Sequence, residues 1–498
     1  MDTAHRASHA LEVAPHPASR LWSLVAALGA GTLAAAVART RRGVTYDDAM
    51  IAARYARNLI EGKGWTYNPM AAESVNASTS PLSTLAHALA GMACGGDLLL
   101  GQVVVCAASI AVAGFATSRL VADAGRVPAL SAALLAACIP LLYAALGLES
   151  ALFVALALST CALWRRALDR PGYEFGAAAA LGLTALTRPE GLLLGVVLGT
   201  AAAWRHGRAR GATFVLFRLL WLVATSLLVM LPWLVYAHHR FGSVLPHTLA
   251  AKIAQGRSGW WGAGDGLFVR GMKHSLSMFD ARGFGAGYKP IAVVAGLGVL
   301  AAARWVWPLL VPIAFAALHV TALAALGVPY YPWYAAALHT GTMLGALALG
   351  VAAWTAGQTW RLLALAWWAL VGALAFPGWW THREDPYAHY RAAADWLQQE
   401  SPPAASIACA EIGVLGFGVG DRTIVDMCGL VTPDGVDPIA HGDLDWWLDA
   451  HHPDFIVVHD PPWPGFEARA LARADFGALY EQATIIGASD ILRIYRRR

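Results

Sequence analysis

The chain has 498 residues, of which 57% are hydrophobic and 14% charged, whereas a soluble globular domain carries roughly 25% charged residues. Its net charge of +4 is small, and the positive charge is mostly Arg spread between hydrophobic runs. That distribution excludes a nucleic-acid-binding stripe and reads as the topology signal of a polytopic membrane protein.

Residues 1–20 are polar and are expected to form a cytoplasmic tail. The first apolar run, 21–38, lacks a small-residue cleavage site and is taken as a retained transmembrane helix. A spanning helix needs about 20 apolar residues. Further candidates are 82–118 (one or two passes), 127–146, 149–164, 175–187, 190–204, 213–237, 290–303, 305–326, 333–354 and 360–377. The expected fold is therefore a polytopic α-helical membrane domain over 21–379, with about 11–13 transmembrane helices.

The basic stretches 119–126, 165–170 and 205–210, with Arg304 and Arg361, orient these segments if all are cytoplasmic. The first loop (39–81), Glu149, the Arg188-Pro189-Glu190 break, the loop 238–289, the 330–334 turn and everything after 378 then face outward. Two features resist the scheme. Arg39, Arg41 and Arg42 follow the first helix on the outer side, and 82–118 must cross an odd number of times although Gly95-Gly96-Asp97 reads as a break.

The tail, 380–498, has a different pattern. Residues 387–399 alternate as an amphipathic helix, 406–410, 423–426, 455–459 and 491–495 read as strands, and 446–450 and 467–473 read as helices. A small soluble α/β domain follows. Cys94, Cys106, Cys138 and Cys161 lie in apolar runs as small core residues, while Cys409 and Cys428 in the tail could pair.

The first loop carries the most chemistry. Asp47 and Asp48 sit at an N-cap and first turn, where acids are favoured, and Gly62 suits a helix C-terminus. Ile51, Tyr55 and Leu59 form an apolar row and Asp47, Arg54, Asn58 and Glu61 a polar one, which predicts a helix on the membrane surface. The acids either cap that helix or supply a general base at the lipid–water boundary. Glu149, Arg188 and Glu190 put charge between apolar runs, as a structural pair at a helix break or as functional groups. The segment from His238 to Lys252 gathers His, Arg and Lys at a membrane face, which suits a phosphate or simple interface anchoring. Asn76-Ala77-Ser78 is a formal glycosylation sequon, a frequent match.

Taken in order, Asp47-Asp48-Ala49, Arg54-Tyr55-Ala56-Arg57-Asn58-Leu59, Glu61-Gly62-Lys63-Gly64, Tyr67-Asn68-Pro69, Glu73 and Thr79-Ser80-Pro81-Leu82 resemble the first extracytoplasmic loop of bacterial GT-C glycosyltransferases. The resemblance is nearest to the branch of the mycobacterial terminal arabinofuranosyltransferase. It continues at Gly147-Leu148-Glu149, Thr187-Arg188-Pro189-Glu190-Gly191, Leu245-Pro246-His247-Thr248 with Lys252, Glu411-Ile412-Gly413-Val414-Leu415-Gly416 and Asp426-Met427-Cys428-Gly429-Leu430. It implies an enzyme of the bacterial inner membrane whose site faces the periplasm or exterior. It further implies a polyprenyl-phosphate sugar donor, an envelope glycan, lipid or protein acceptor, and inversion at the anomeric carbon. The chain departs from the pattern in its short tail, which lacks a carbohydrate-binding sandwich, and in His247, where Asn is common.

On this reading Asp47 is the base, and Asp48 orients it or holds an ion; a divalent cation is the one cofactor considered. Arg188, Lys252, His247 and Arg54 are the donor-phosphate candidates, and Glu149, Glu190 and Tyr331 the sugar or acceptor candidates. The alternative is a transporter or lipid flippase, which predicts inverted repeats and broken helices in both halves. One clear break and no repeat are visible.

Overall fold

The computed structural model describes residues 17–260, 266–279, 288–326, 328–375, 385–488 and 490–498. The expected N-terminal tail falls almost wholly outside them. The chain is a multi-pass membrane protein with a small C-terminal sheet domain. Six helices among the described residues are long and apolar enough to cross a membrane: Arg20–Thr40, Leu98–Leu120, Arg126–Ala144, Ala212–Phe241, Trp307–Ala325 and Pro332–Ala356. The other expected crossings fall on shorter or less apolar helices, among them Ser150–Ala167, Glu174–Thr187, Leu192–Arg210, Tyr288–Trp305 and Gln358–Ala375. Ala212–Phe241 exposes Leu216, Phe217, Leu220, Leu227, Leu228 and Leu231, an apolar surface that requires lipid.

Lipid supplies no hydrophobic drive between helices, so close packing over small residues holds such a bundle together. A Cβ on Gly182 would lie 2.7 Å from the Ser226 carbonyl, and one on Gly101 would lie 2.7 Å from the Gly91 nitrogen. The second contact closes the hairpin between Pro81–Ala93 and Leu98–Leu120. Gly95 and Gly96 adopt positive φ there, and Asp97 caps the longer helix through Leu100 N at 2.9 Å. Asp97 also pairs with Arg42, which places both ends of the intervening segment on one side. The 13-residue helix Pro81–Ala93 spans about 20 Å, short of the about 30 Å hydrocarbon core. The expected 82–118 region thus contributes one crossing, and Arg42 is already paired with Asp97.

The tail forms five strands, β1 (Ser406–Cys409), β2 (Thr423–Asp426), β3 (Phe455–Asp460), β4 (Tyr480–Ile486) and β5 (Ile491–Arg497), in the order β2-β1-β3-β5-β4. β1 pairs in parallel with β2 and β3, and β5 runs antiparallel to β3 and β4. Phe455–Val458 of central β3 is buried throughout, as a strand covered on both faces requires. β4 is absent from the sequence expectation. As the edge strand it keeps Glu481, Thr484 and Ile485 only partly covered or exposed, so its pattern is weak. Cys409 and Cys428 are free thiols.

This domain has no separate core on the side that faces the membrane helices. Met50, Ile51, Tyr55, Trp65 and Tyr67 of the first loop share one apolar cluster with Ile407, Ile412, Leu415, Phe455 and Ile494. Asn68 donates to the Ile424 carbonyl at 2.9 Å and accepts from its N–H at 3.0 Å, closing edge strand β2.

Candidate active site

The first-loop helix, Asp47–Ile60, begins after Tyr46, which makes no side-chain cap. Apart from the exposed Glu61, its polar row does not lie open at a surface, contrary to the surface-helix expectation. Asp47, Arg54 and Asn58 are buried, because this row docks on the C-terminal domain. The Asp47 carboxylate accepts from Gly413 N and Val414 N, both at 2.6 Å. Arg54, 0% exposed, donates to the carbonyls of Tyr67 (2.8 Å), Arg422 (2.8 Å) and Gly416. Arg57 donates to Phe417 O at 2.7 Å and Gly420 O at 3.0 Å. Arg54 thus serves as a clamp between loop and domain, and its donors are committed to backbone carbonyls instead of a phosphate.

Two glycines of the tail motif make this docking possible. A Cβ on Gly413 would overlap the Asp47 carbonyl oxygen, and one on Gly416 would overlap the Tyr67 hydroxyl. Gly413→Ala is therefore expected to cost about 1–3 kcal/mol as an overpacked contact. Limited proteolysis should then release the C-terminal domain sooner, while Gly477→Ala, with nothing within 4 Å of the added carbon, should leave the digestion unchanged.

With Asp47 turned into the domain, Asp48 points the other way, into a cavity of about 560 Å³ between the membrane helices and the domain. The same cavity is lined by Glu149, Arg188, Glu190 and Lys252, so side chains spread over about 200 positions of sequence meet in it. Arg188 stands between two carboxylates, donating to Glu149 at 2.6 Å and Glu190 at 3.0 Å. The bend that carries it comes from Pro189, which starts a 3₁₀ turn between helices Glu174–Thr187 and Leu192–Arg210.

Lys252 lies on the short helix His247–Arg257, which has one face for each neighbour. Thr248, Leu249, Lys252, Ile253, Gly256 and Arg257 line the cavity, a spacing of i, i+4 and i+8. On the other face Gln255 donates to Cys428 O at 2.8 Å, and the His247 ring contacts Gly429 O at 3.1 Å. His247 therefore anchors the helix and does not reach the cavity. Lys252 Nζ donates to Tyr334 Oη at 3.4 Å and lies 4.7 Å above the Tyr331 ring. Tyr331 stacks on Trp333 at 4.9 Å, and Trp333 and Tyr334 form the aromatic wall.

Much of the cavity wall is apolar. Leu245, Leu249, Ile253 and Leu326 line it, and Leu245 is 59% and Leu326 73% exposed. A cavity lined by buried charges and by exposed apolar side chains fits an amphiphile whose head is polar and whose chain leaves into lipid.

Burial governs the titration of the acids here. It pushes the Asp48 carboxyl up to about 6, against the pull of the Lys252 ammonium. It raises Asp47 as well, against the two N–H donors, and holds Glu411, hydrogen-bonded to Asp47, well above the usual carboxylate range. Among the described residues, no group of three or more His, Cys, Asp or Glu could hold a metal ion.

Sequence reasoning missed Arg257 and the aromatic wall. The Arg257 signal was available: Thr248, Lys252 and Gly256-Arg257 repeat at helical spacing once a helix is begun after Pro246.

A family model described as a domain of unknown function (DUF8728) matches residues 381–495. No curated protein matches the chain. Among solved structures, apo ArnT from Cupriavidus metallidurans aligns with a TM-score of 0.61 at 14% identity, covering 95% of this chain and 97% of that one. The same protein bound to undecaprenyl phosphate gives 0.59 at 14% identity, covering 94% and 97%. The Archaeoglobus fulgidus oligosaccharyltransferase gives 0.56 at 16% identity, covering 86% and 67%. At these identities the likeness establishes a GT-C-like fold.

Proposed function

We propose that the chain is a membrane glycosyltransferase that moves a sugar from a polyprenyl phosphate to a hydroxyl of an envelope glycan, lipid or protein at the outer face of a bacterial inner membrane. One observation carries the proposal: Asp48 and Lys252 line one cavity together with the exposed apolar side chains Leu245 and Leu326. Two structures of similar fold carry a lipid phosphate, undecaprenyl phosphate in ArnT and a dolichol-phosphate in the archaeal oligosaccharyltransferase AglB, which supports a lipid of that class in this cavity.

Asp48 takes the proton of the acceptor hydroxyl. The oxygen attacks the anomeric carbon from the face opposite the phosphate, the bond from that carbon to the phosphate oxygen breaks, and the configuration inverts. Charge then develops on the leaving polyprenyl phosphate, where Lys252 and Arg257 on one helix face neutralise it. The buried Thr248 hydroxyl, without a partner among the described residues, adds a donor on the same wall. Glu149 and Glu190 hold Arg188 and turn their remaining acceptors toward sugar hydroxyls. The base is thus assigned to Asp48 and no longer to its neighbour: both Asp47 oxygens are already occupied, so Asp47 aims Asp48 by fixing the start of the helix. An arabinofuranosyl donor remains the finer reading, resting on the first-loop motifs alone.

Purified protein given an undecaprenyl-phosphate-linked sugar should release undecaprenyl phosphate in step with glycosylated acceptor. Movement of the intact lipid-linked sugar across a vesicle bilayer, without cleavage, would sink the proposal in favour of a flippase. The base must be ionised, so kcat/KM should fall about tenfold per pH unit below about 6, the Asp48 value. A rate that stays flat from pH 7 to pH 5 would exclude Asp48 as the base.

A further inference from the structure

We infer that Asp426 is a positioning residue for the donor site: from inside the C-terminal domain it shapes the turn whose carbonyls hold the helix that carries Lys252. The functional consequence rests on the transferase proposed above, while the mechanical link stands on hydrogen bonds.

Asp426 ends β2 and is 0% exposed. Its carboxylate accepts three backbone N–H groups of the following turn, those of Cys428 (2.8 Å), Leu430 (2.5 Å) and Val431 (3.1 Å). Its own N–H donates to the Thr432 hydroxyl at 2.8 Å. A side chain that takes this many donors at the start of a turn leaves the turn one conformation. Gly429 adopts φ +77° within it, a region that glycine enters without strain.

With its N–H groups gathered inward, the turn directs carbonyls outward. Cys428 O receives Gln255 Nε2 at 2.8 Å, and Gly429 O meets the His247 ring at 3.1 Å. These contacts lie eight residues apart on the helix His247–Arg257, slightly over two turns, so they hold both ends of one face. The opposite face presents Lys252 and Arg257 to the cavity, and Leu430 of the same turn is also in the cavity wall. A loop helix of 11 residues is too short to hold its own orientation in water. Its placement comes from its neighbours: Asn76 O accepts from His247 N at 2.8 Å, Ala254 packs in the domain core, and the turn that the Asp426 carboxylate organises holds Gln255 and the His247 ring.

The test uses full-length protein in detergent, undecaprenyl phosphate as the probe, and the variants Asp426→Asn, Gln255→Ala and their double. The amide offers one acceptor oxygen where the carboxylate offers two, and Gln255→Ala cuts the link without touching the domain interior. Each single variant should weaken undecaprenyl phosphate binding about tenfold, and the double should be no weaker than the worse single, because both break one linkage. Amide hydrogen exchange should quicken in 247–257 in each variant and stay unchanged in β1 and β3. Unchanged exchange in 247–257 with Gln255→Ala, or fully additive losses in the double, would overturn the inference. If wild-type protein neither binds the probe nor cleaves a lipid-linked sugar, the transferase proposal falls, and the exchange measurement alone decides the positioning role.

Discussion

Asp48→Asn should abolish glycosyl transfer and at the same time make the protein more stable at neutral pH. The amide keeps the shape but cannot accept the acceptor proton, and loss of a positioned base costs roughly 10²–10⁴-fold in rate. The stability gain follows from burial. The folded-state carboxyl titrates at about 6 against an ordinary value of 3.8, so the folded protein binds this proton more tightly than the unfolded chain does. The resulting stabilisation is complete below about pH 4 and is lost as pH rises through about 6. At pH 7 the buried charge opposes folding by no more than about 3 kcal/mol, and the amide removes that opposition. Asp47→Asn should do the reverse: it leaves Gly413 N or Val414 N without an acceptor and costs about 1–3 kcal/mol of stability. Thermal unfolding and turnover on the same preparations, at pH 7 and pH 4.5, separate the two acids. A normal rate in Asp48→Asn would return the base to another group.

Lys252→Ala and Arg188→Ala should also diverge, although both remove a cation from the cavity. Lys252 has a tyrosine hydroxyl and ring for neighbours and no carboxylate in ion-pair contact among the described residues. Its loss should cost turnover about 2–4 kcal/mol in transition-state stabilisation, as for other preorganised charge partners, with little change in unfolding temperature. Arg188 is 7% exposed and bridges Glu149 and Glu190. Removing it strands two carboxylates in a buried setting, which for a broken buried pair costs about 3–5 kcal/mol of stability. Arg188→Ala should therefore express poorly or melt early, and Arg188→Lys should restore folding more than activity. If Arg188→Ala folds normally and only the lipid-phosphate dependence changes, Arg188 is itself a phosphate ligand and the bracing role assigned to it is wrong.

Much of this arrangement was legible in the chain. Hydropathy marked the helices, and short apolar runs marked four of the five strands. The ordered motifs of the first loop, the Glu149 and Arg188 segments and the basic segment from His238 to Lys252 identified five side chains that line one cavity: Asp48, Glu149, Arg188, Glu190 and Lys252. What was not legible depends on tertiary partners. The direction of Asp47 against Asp48 is set by Gly413 N and Val414 N, more than 360 positions away. Periodicity gives the row on which a side chain lies but not what covers that row. Arg54 and Asn58 read as the polar row of a membrane-surface helix for the same reason, since the domain that buries them follows the last membrane helix. β4 escaped notice because an edge strand with one bulged register keeps only part of its alternation.

The claim that the cavity holds a lipid phosphate through Lys252 is tested most directly by mass spectrometry of the lipid that copurifies with the protein. Wild-type protein should carry a polyprenyl phosphate or its sugar-linked form, and Lys252→Ala, purified in the same way, should have lost most of it. Bulk phospholipid alone in both preparations, or equal polyprenyl phosphate in both, would contradict the claim.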